Sequence, residues 1–346
     1  MQRRMHLGAF LFNLGNHIAG WRMPGVPVDG LLSFGFYREL AQIAEAGKFD
    51  FLFHSDGVGI NDTYDAVLRH SITVRPEPLT LLSALAVVTE RIGLAATVST
   101  TYNEPYPIAR KLAMLDFLSG GRAGLNLVTS STDQEAQNFG EVRHMDHTTR
   151  YARAGEFAAV LRGLWDSWED GALIMNRDGG VVADPALIHP IDWQGRFFSV
   201  RGPLNMPRPP QGHPVIIQAG ASAEGLDFAS GTADVIFCVE RSVDSAQAFY
   251  ADVQARAMAA GRAENVIRVL PGLSPVIGRT RAEAEAKDRA LCDLVPEALA
   301  LSYLSDLVQH DLSAYPAEGP LPDLPETNGE RSRIRVLLDK LSVAGQ

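Results

Sequence analysis

A chain of 346 residues that is 46% hydrophobic can bury one large core or two modest ones. Its formal charge of −10, from 31 basic and 41 acidic side chains, argues against a nucleic-acid partner and leaves no polybasic face for a membrane surface. Two cysteines, Cys238 and Cys292, are too few for a disulfide framework and lack metal-ligand spacing, which suits a reducing, cytoplasmic setting.

The amino terminus sets an apolar run behind two arginines, but Asn13, Asn16 and His17 break it and no small-residue cleavage site follows. A signal peptide is therefore not expected. No stretch has the length and apolarity of a membrane span. Without repeats or low-complexity tracts, strand and helix patterns alternate along the chain. Residues 6–12 read as a strand, followed by a loop over 13–30 that carries His17, Trp21 and Arg22. A helix is expected at 36–46, stopping at Gly47, then a strand at 49–53 that ends in His54-Ser55-Asp56-Gly57. A helix at 78–90 leads into a strand at 92–97, and a helix at 105–119 into the stretch GGRAGLNLVTSSTDQEAQNFG.

The first half of that stretch reads as a strand buried on both faces, where a polar residue is out of place. Asn126 sits inside it all the same. A buried amide without partners costs about 1–3 kcal/mol, so Asn126 bonds neighbouring backbone or something bound. The run Thr129 to Asp133 then gathers hydrogen-bonding groups at the strand's carboxyl end, where parallel α/β folds place their ligands.

A helix is expected at 148–168 with Asp146 or Thr148 as its cap. The Gly-, Pro- and Asp-rich segment 169–212 is too long for an ordinary connection and reads as an insertion with a hairpin at 188–200. Strands at 215–219, 233–239 and within 266–277 alternate with helices at 222–230, 243–260 and 281–310. Past Asp311 come a Pro-rich loop and one helix at 332–341. About seven parallel-type strands with intervening helices are the pattern of an eight-stranded β/α barrel whose last strand is missing.

No P-loop, G-x-G-x-x-G, G-x-S-x-G or H-E-x-x-H motif occurs. His144 and His147 lack the carboxylate pattern of a metal site, and His144 reads as a surface or loop histidine. His147 has Tyr151 one helical turn on, and together they face an anion from a helix's first turn. Gly220-Ala221-Ser222-Ala223 between a strand and a helix reads equally as a phosphate-approaching turn or an ordinary cap. Asp56 is a helix cap or a ligand for a polar cofactor edge. Thr97 by itself reads as a β-branched core residue, Ser83 and Arg91 as structural, and His17 as a rim or loop histidine.

GRAGLNLVTSSTDQEAQNFG, with LAATVSTTYNEPYPIARKLAMLDFLSGGR before it, resembles the nitrilotriacetate monooxygenase component A family. That family belongs with the bacterial-luciferase-like flavin enzymes, near dibenzothiophene-sulfone, EDTA and long-chain alkane monooxygenases. RGPLNMPRPPQGHPVIIQAGASAEGLDFA, MDHTTRYARAGEF and NHIAGWRMP carry the same likeness, from about residue 5 to about residue 328. The resemblance implies a (β/α)8 TIM barrel that takes reduced FMN from a separate NAD(P)H-dependent flavin reductase. Through a flavin peroxide, one oxygen atom of O2 would enter a small organic substrate. It also implies that Asp56 and Thr97 lie along the isoalloxazine, with Asn126 at its polar edge. His147, Tyr151 and Ser222 would hold the ribityl phosphate, and His17 would face the reacting edge as the catalytic residue.

Three departures accompany the likeness. Leu125 stands where the family has Trp, implying altered packing beside the flavin, and His54 replaces an apolar residue. The chain also stops before the family's last strand and helix. One barrel domain over 1–346, with an insertion at about 169–212 and no eighth strand, is therefore expected, as a cytoplasmic homo-oligomer. A deazaflavin-dependent oxidoreductase and a truncated, non-catalytic flavin-binding protein remain open as alternatives. The substrate is not legible: Arg22, Arg75 and Arg143 are each a partner for a carboxylate or sulfonate, or else a structural arginine.

Overall fold

Apolar runs of strand length, separated by helical spacings, fold into the alternating order that a parallel barrel requires. The computed structural model describes residues 5–315 apart from 221, 241 and 309, together with residue 324. Its first half comprises β1 (Gly8–Leu11), α1 (Phe34–Ala46), β2 (Phe51–His54), α2 (Asp65–His70), α3 (Pro78–Ala86) and β3 (Gly93–Ser99). These are followed by α4 (Pro105–Ser119), β4 (Ala123–Val128), α5 (Asp133–Gln137) and α6 (His147–Trp165). Two hairpins fill the insertion: β5 (Leu173–Asn176) with β6 (Val181–Ala183), and β7 (Trp193–Gln194) with β8 (Ser199–Val200). The chain resumes with β9 (Val215–Gln218), α7 (Ala223–Thr232), β10 (Val235–Cys238), α8 (Val243–Ala259) and β11 (Arg268–Pro271). Helices α9 (Arg281–Asp293) and α10 (Glu297–Val308) come last.

Seven strands pair in the order β1-β2-β3-β4-β9-β10-β11, all parallel. The sheet curls until Phe10 of β1 stacks on Phe53 of β2 at 4.9 Å and meets Phe237 of β10 at 6.2 Å between ring centroids. Strands from opposite ends of the sheet thus share one lumen, and the barrel is nearly closed. Among the described residues no eighth strand joins β11 to β1. The helix expected at 332–341 lies outside the described residues.

Period-two alternation separates the two faces. Leu52, Leu94, Ala96, Val98, Leu125, Leu127 and Ile216 pack outward against the helices, in one large core. Phe53, Ala95 and Ile217 form the smaller cluster inside the lumen. Thr97 lies two residues on from lumen-facing Ala95 and Asn126 one residue on from outward-facing Leu125, so both face the lumen. Leu125 itself is fully buried in the large core on the helix side, so it does not line the lumen as the resemblance implies. Carboxylates clamp the far end of the barrel. Asp116 of α4 accepts from the backbone N–H of Ala123 and Gln211, at 3.0 Å each. Glu45 of α1 accepts from the N–H of Glu90, Arg91 and Ile92 and so fixes the entry to β3.

The expected helix over 281–310 is two helices, because Pro296 cannot continue the first and opens the second. The short helices α2 and α5 and the β5–β6 hairpin have no apolar period of their own to announce them.

His54 also faces the helices, 1% exposed, with Nδ1 bonded to the Ser55 carbonyl at 2.8 Å and Nε2 buried without a partner. Burial holds its pKa below the usual histidine range, and the Arg75 charge acts the same way against the Ser55 bond. The unfolded chain therefore takes up a proton near pH 6.5 that the folded chain resists. Stability from this site is complete above about pH 6.5 and falls as the pH drops below it. His54→Leu is expected to shrink the fall in Tm between about pH 7.5 and about pH 5. An equal fall in both proteins would show that His54 does not set the acid response.

Candidate active site

Thr97 and Asn126 are register partners on β3 and β4, and Asn126 Nδ2 donates to Thr97 Oγ1 at 3.1 Å. Both side chains are buried, and Asn126 Oδ1 has no partner among the described residues. A well-packed lumen strand thus carries an acceptor that nothing among the described residues answers. Beyond β4 the backbone turns through Ser130, at φ 57°, and its hydroxyl reaches Ser99 Oγ at 2.9 Å and Glu135 Oε1 at 3.0 Å. Glu135 also accepts from the N–H of Ser131 and Thr132. Much of the Ser/Thr cluster expected to face a ligand therefore holds its own capping carboxylate, and Asn126 remains the open polar group.

A second polar group forms where α6 and α7 begin. Asp146 caps α6 by accepting from Thr149 N–H at 3.0 Å, and Ser222 caps α7 by accepting from Gly225 N–H at 3.1 Å. The rings of His147 and Tyr151 lie 4.8 Å apart on one side of α6. A Cβ placed on Gly225 would stand 2.9 Å from Tyr151 Oη, 3.0 Å from Ser222 Oγ and 3.1 Å from Gly220 Cα. Two hydroxyls and two glycine backbones therefore pack closely together beside the first turn of α7, where N–H groups favour an anion. His147 Nδ1 borders it, 3.7 Å from Glu224 Oε2. Ala221 of the expected turn lies outside the described residues.

Asp56 stands two residues past β2, half-buried, and accepts from Gly57 N–H at 2.9 Å. Burial pushes its carboxyl up to about 6, with the Glu77 and Glu135 charges adding to the rise against the Gly57 bond. His17, in the loop after β1, accepts the Ala19 N–H on Nδ1 at 3.2 Å, so its neutral ring carries the proton on Nε2. Among the described residues no hydrogen bond joins His17 or Asp56 to the Thr97–Asn126 pair or to the Tyr151–Ser222 corner. The structure thus forms two tight groups and leaves these two on separate rim loops. Of the three arginines, Arg22 donates to the Leu294 carbonyl. Arg75 donates to the Ile72 and Val74 carbonyls and lies 4.6 Å over the Phe12 ring. Both are tied into the scaffold.

His144 is not a surface histidine. It is 7% exposed, its N–H donates to Asp133 Oδ1 at 2.7 Å, and Tyr102 Oη lies 2.5 Å from its Nδ1. Burial lowers the His144 pKa, and burial with the Glu135 and Asp133 charges raises Tyr102 to about 12. Tyr102 therefore keeps its proton, and its hydroxyl and the neutral ring share a hydrogen bond. Sequence reasoning missed the pair because its partners are 42 residues apart.

A nearly closed parallel barrel with an open polar acceptor in its lumen and an anion corner at its rim defines a β/α-barrel enzyme of the cofactor-holding kind. The chain belongs to the luciferase-like monooxygenase family, which it matches over residues 9–335. It is 45% identical to N-acetyl-S-(2-succino)cysteine monooxygenase of Bacillus subtilis (strain 168), covering 97% of this chain and 76% of that one. Nitrilotriacetate monooxygenase component A of Aminobacter aminovorans is 44% identical, covering 97% and 77%. The structure of a riboflavin lyase with modified FMN and riboflavin superposes with a TM-score of 0.89 at 30% identity, covering 96% of this chain and 76% of that one. The protein is a flavin-dependent monooxygenase.

Among the described residues no helix is long and apolar enough to cross a membrane.

Proposed function

We propose that this chain is the oxygenating component of a two-component system, using reduced FMN delivered by a separate NAD(P)H-dependent reductase in the cytoplasm. A single barrel domain carries the site, and the insertion at 169–212 buttresses α6 through Glu156, which accepts from the N–H of Arg196, Phe197 and Phe198. The residues present fit the cofactor. The observation that carries the reading is Asn126 Oδ1, buried in the lumen with no partner among the described residues.

Asn126 and Thr97 offer hydrogen bonds to the polar edge of the flavin ring, and Asp56 borders it. Tyr151, Ser222 and His147 hold the phosphate beside the first turn of α7, with His147 turning from Glu224 to the anion. His17 presents its Nε2 proton from the opposite loop. Reduced FMN, when bound, supplies the electrons that activate dioxygen. The barrel lumen excludes water and orients a small organic substrate.

The test is a substrate panel with a reductase and FMN, read as substrate-dependent oxygen uptake above peroxide production. Tyr151→Phe and Ser222→Ala are expected to weaken FMNH2 binding about tenfold, the size of one lost hydrogen bond to a charged group, with little change in turnover at saturating flavin. His17→Ala is expected to slow oxygenation with flavin binding intact. Unchanged affinity in both corner variants would remove the phosphate assignment. Preference for a deazaflavin over FMNH2 in the same titration would favour a deazaflavin-dependent oxidoreductase instead.

A further inference from the structure

Helix α5 is short and polar, yet it carries a carboxylate that two separate loops share. Glu135 is 9% exposed. Its Oε2 accepts from Ser131 N–H at 3.0 Å and from the N–H and hydroxyl of Thr132, both at 3.2 Å, which completes the cap of its own helix. Capping needs no more than that oxygen. Oε1 is committed elsewhere: it accepts from the Ser130 hydroxyl at 3.0 Å and, 77 residues back in the chain, from Val58 N–H at 3.4 Å.

Val58 belongs to the loop over 55–64, which runs from β2 to α2 without regular structure and carries Asp56. Three further contacts fasten that loop to α5. Asn138 Nδ2 donates to the Val58 carbonyl and Gln134 Nε2 to the Thr63 hydroxyl, at 2.8 Å each. Gly59 lies flush on the start of the helix, where a Cβ would stand 2.8 Å from the Glu135 backbone nitrogen. Among the described residues the Asp56 carboxylate accepts one hydrogen bond, from Gly57 in the same loop, so its place follows the loop's. The start of α5 is also fixed to the segment before α6, where Asp133 accepts from His144 N–H at 2.7 Å. The helix is thus wedged between the Asp56 loop and the entry to α6.

We propose that Glu135 is a positioning residue of the reaction, holding Asp56 in place at the rim of the lumen through the loop after β2. The inference rests on the flavin reading of Asp56.

Charge acts along the same line. Burial first, then the charges of Glu77 at the cap of α3 and of Glu135, raise the Asp56 carboxyl to about 6, against the Gly57 bond and the Arg75 charge. A neutral side chain at position 135 removes one like charge and therefore lowers that pKa.

Titration of FMNH2 into the full chain, in a double-mutant cycle with Asp56→Asn, tests the link. Glu135→Gln can still cap α5 through its one remaining oxygen, but it gives up the charge and the acceptor for Val58. It is expected to weaken FMNH2 binding at least about threefold in the parent and to change nothing in the Asp56→Asn background. Gly59→Ala keeps every charge while forcing the loop off α5, and the same pattern is expected of it. Asn138→Ala removes one loop bond and no cap, is expected to act in the same direction, and covers the case in which Glu135→Gln misfolds. A carbon-13 titration of the Asp56 carboxyl in the flavin-free protein gives a second readout, whose midpoint is expected to fall in Glu135→Gln. Equal weakening with and without the Asp56 carboxylate would overturn the proposal, since a merely structural residue acts that way. So would unaltered affinity in both Glu135→Gln and Gly59→Ala, or an Asp56 midpoint that does not move. If the parent itself binds no FMNH2, the flavin reading falls, and the carboxyl titration alone decides whether Glu135 governs Asp56.

Discussion

Gly225→Ala is expected to cost at least about tenfold in FMNH2 affinity and to lower the melting temperature. The added methyl would lie 2.9 Å from Tyr151 Oη, 3.0 Å from Ser222 Oγ and 3.1 Å from Gly220 Cα. The first two are the hydroxyls assigned to the phosphate, and the third is backbone that cannot yield cheaply. Relief therefore comes from pushing Tyr151 and Ser222 aside, away from the phosphate they are assigned to hold. Stability feels an opposing term, since Ala is favoured over Gly within a helix by about 0.8–1.0 kcal/mol. That gain offsets only part of the crowding, because the Gly220 backbone cannot move cheaply and Ser222 is the cap of α7. Gly231→Ala on the same helix is the control, because nothing lies within 4 Å of the position its methyl would occupy. It is expected to stabilise the protein and leave flavin affinity alone. Titration of FMNH2 with thermal melts of both variants decides the matter. If both variants bind alike, the close approach of Gly220 and Gly225 serves only packing.

The same corner shows what could be read in advance. His147 and Tyr151 stand one helical turn apart in the sequence, and a turn of small residues follows a strand at Val215–Gln218. Each signal is local, and the expectation that they meet comes from the family resemblance, not from the residues themselves. The barrel strands were legible as short apolar runs at regular intervals. Cooperative contacts between distant segments were not. His144 meets Tyr102 only because the loop after β3 and the segment before α6 are adjacent on the rim. Helix α5 is short and polar, so periodicity is silent on it. Thr132 and Glu135, whose reciprocal bonds cap it, did carry a local signal. The two readings offered for Ser222 proved compatible. Its oxygen caps α7 and still stands beside Tyr151, because a hydroxyl that accepts from Gly225 N–H retains its own proton for a ligand.

The double variant Thr97→Val, Asn126→Leu is expected to melt higher than the parent and to bind FMNH2 at least about tenfold more weakly. In the lumen Asn126 Nδ2 reaches Thr97 Oγ1 at 3.1 Å, while Asn126 Oδ1 is buried without a partner. An unanswered buried acceptor costs about 1–3 kcal/mol. Changing Asn126 alone would strand Thr97, whereas changing both removes donor and acceptor together and replaces them with groups of similar volume, which is close to neutral or favourable. Neither position lies on the outward face that packs against the helices, so the large core is undisturbed. On the proposed reading a bound flavin answers the acceptor, so stability at this site is traded for binding. A higher Tm with unchanged flavin affinity would mean that the orphaned carbonyl is a packing defect and that the ring is held elsewhere. A lower Tm with unchanged affinity would mean that the pair is purely structural. Only a gain in melting temperature joined to a loss of affinity identifies Asn126 as the group that meets the flavin's polar edge.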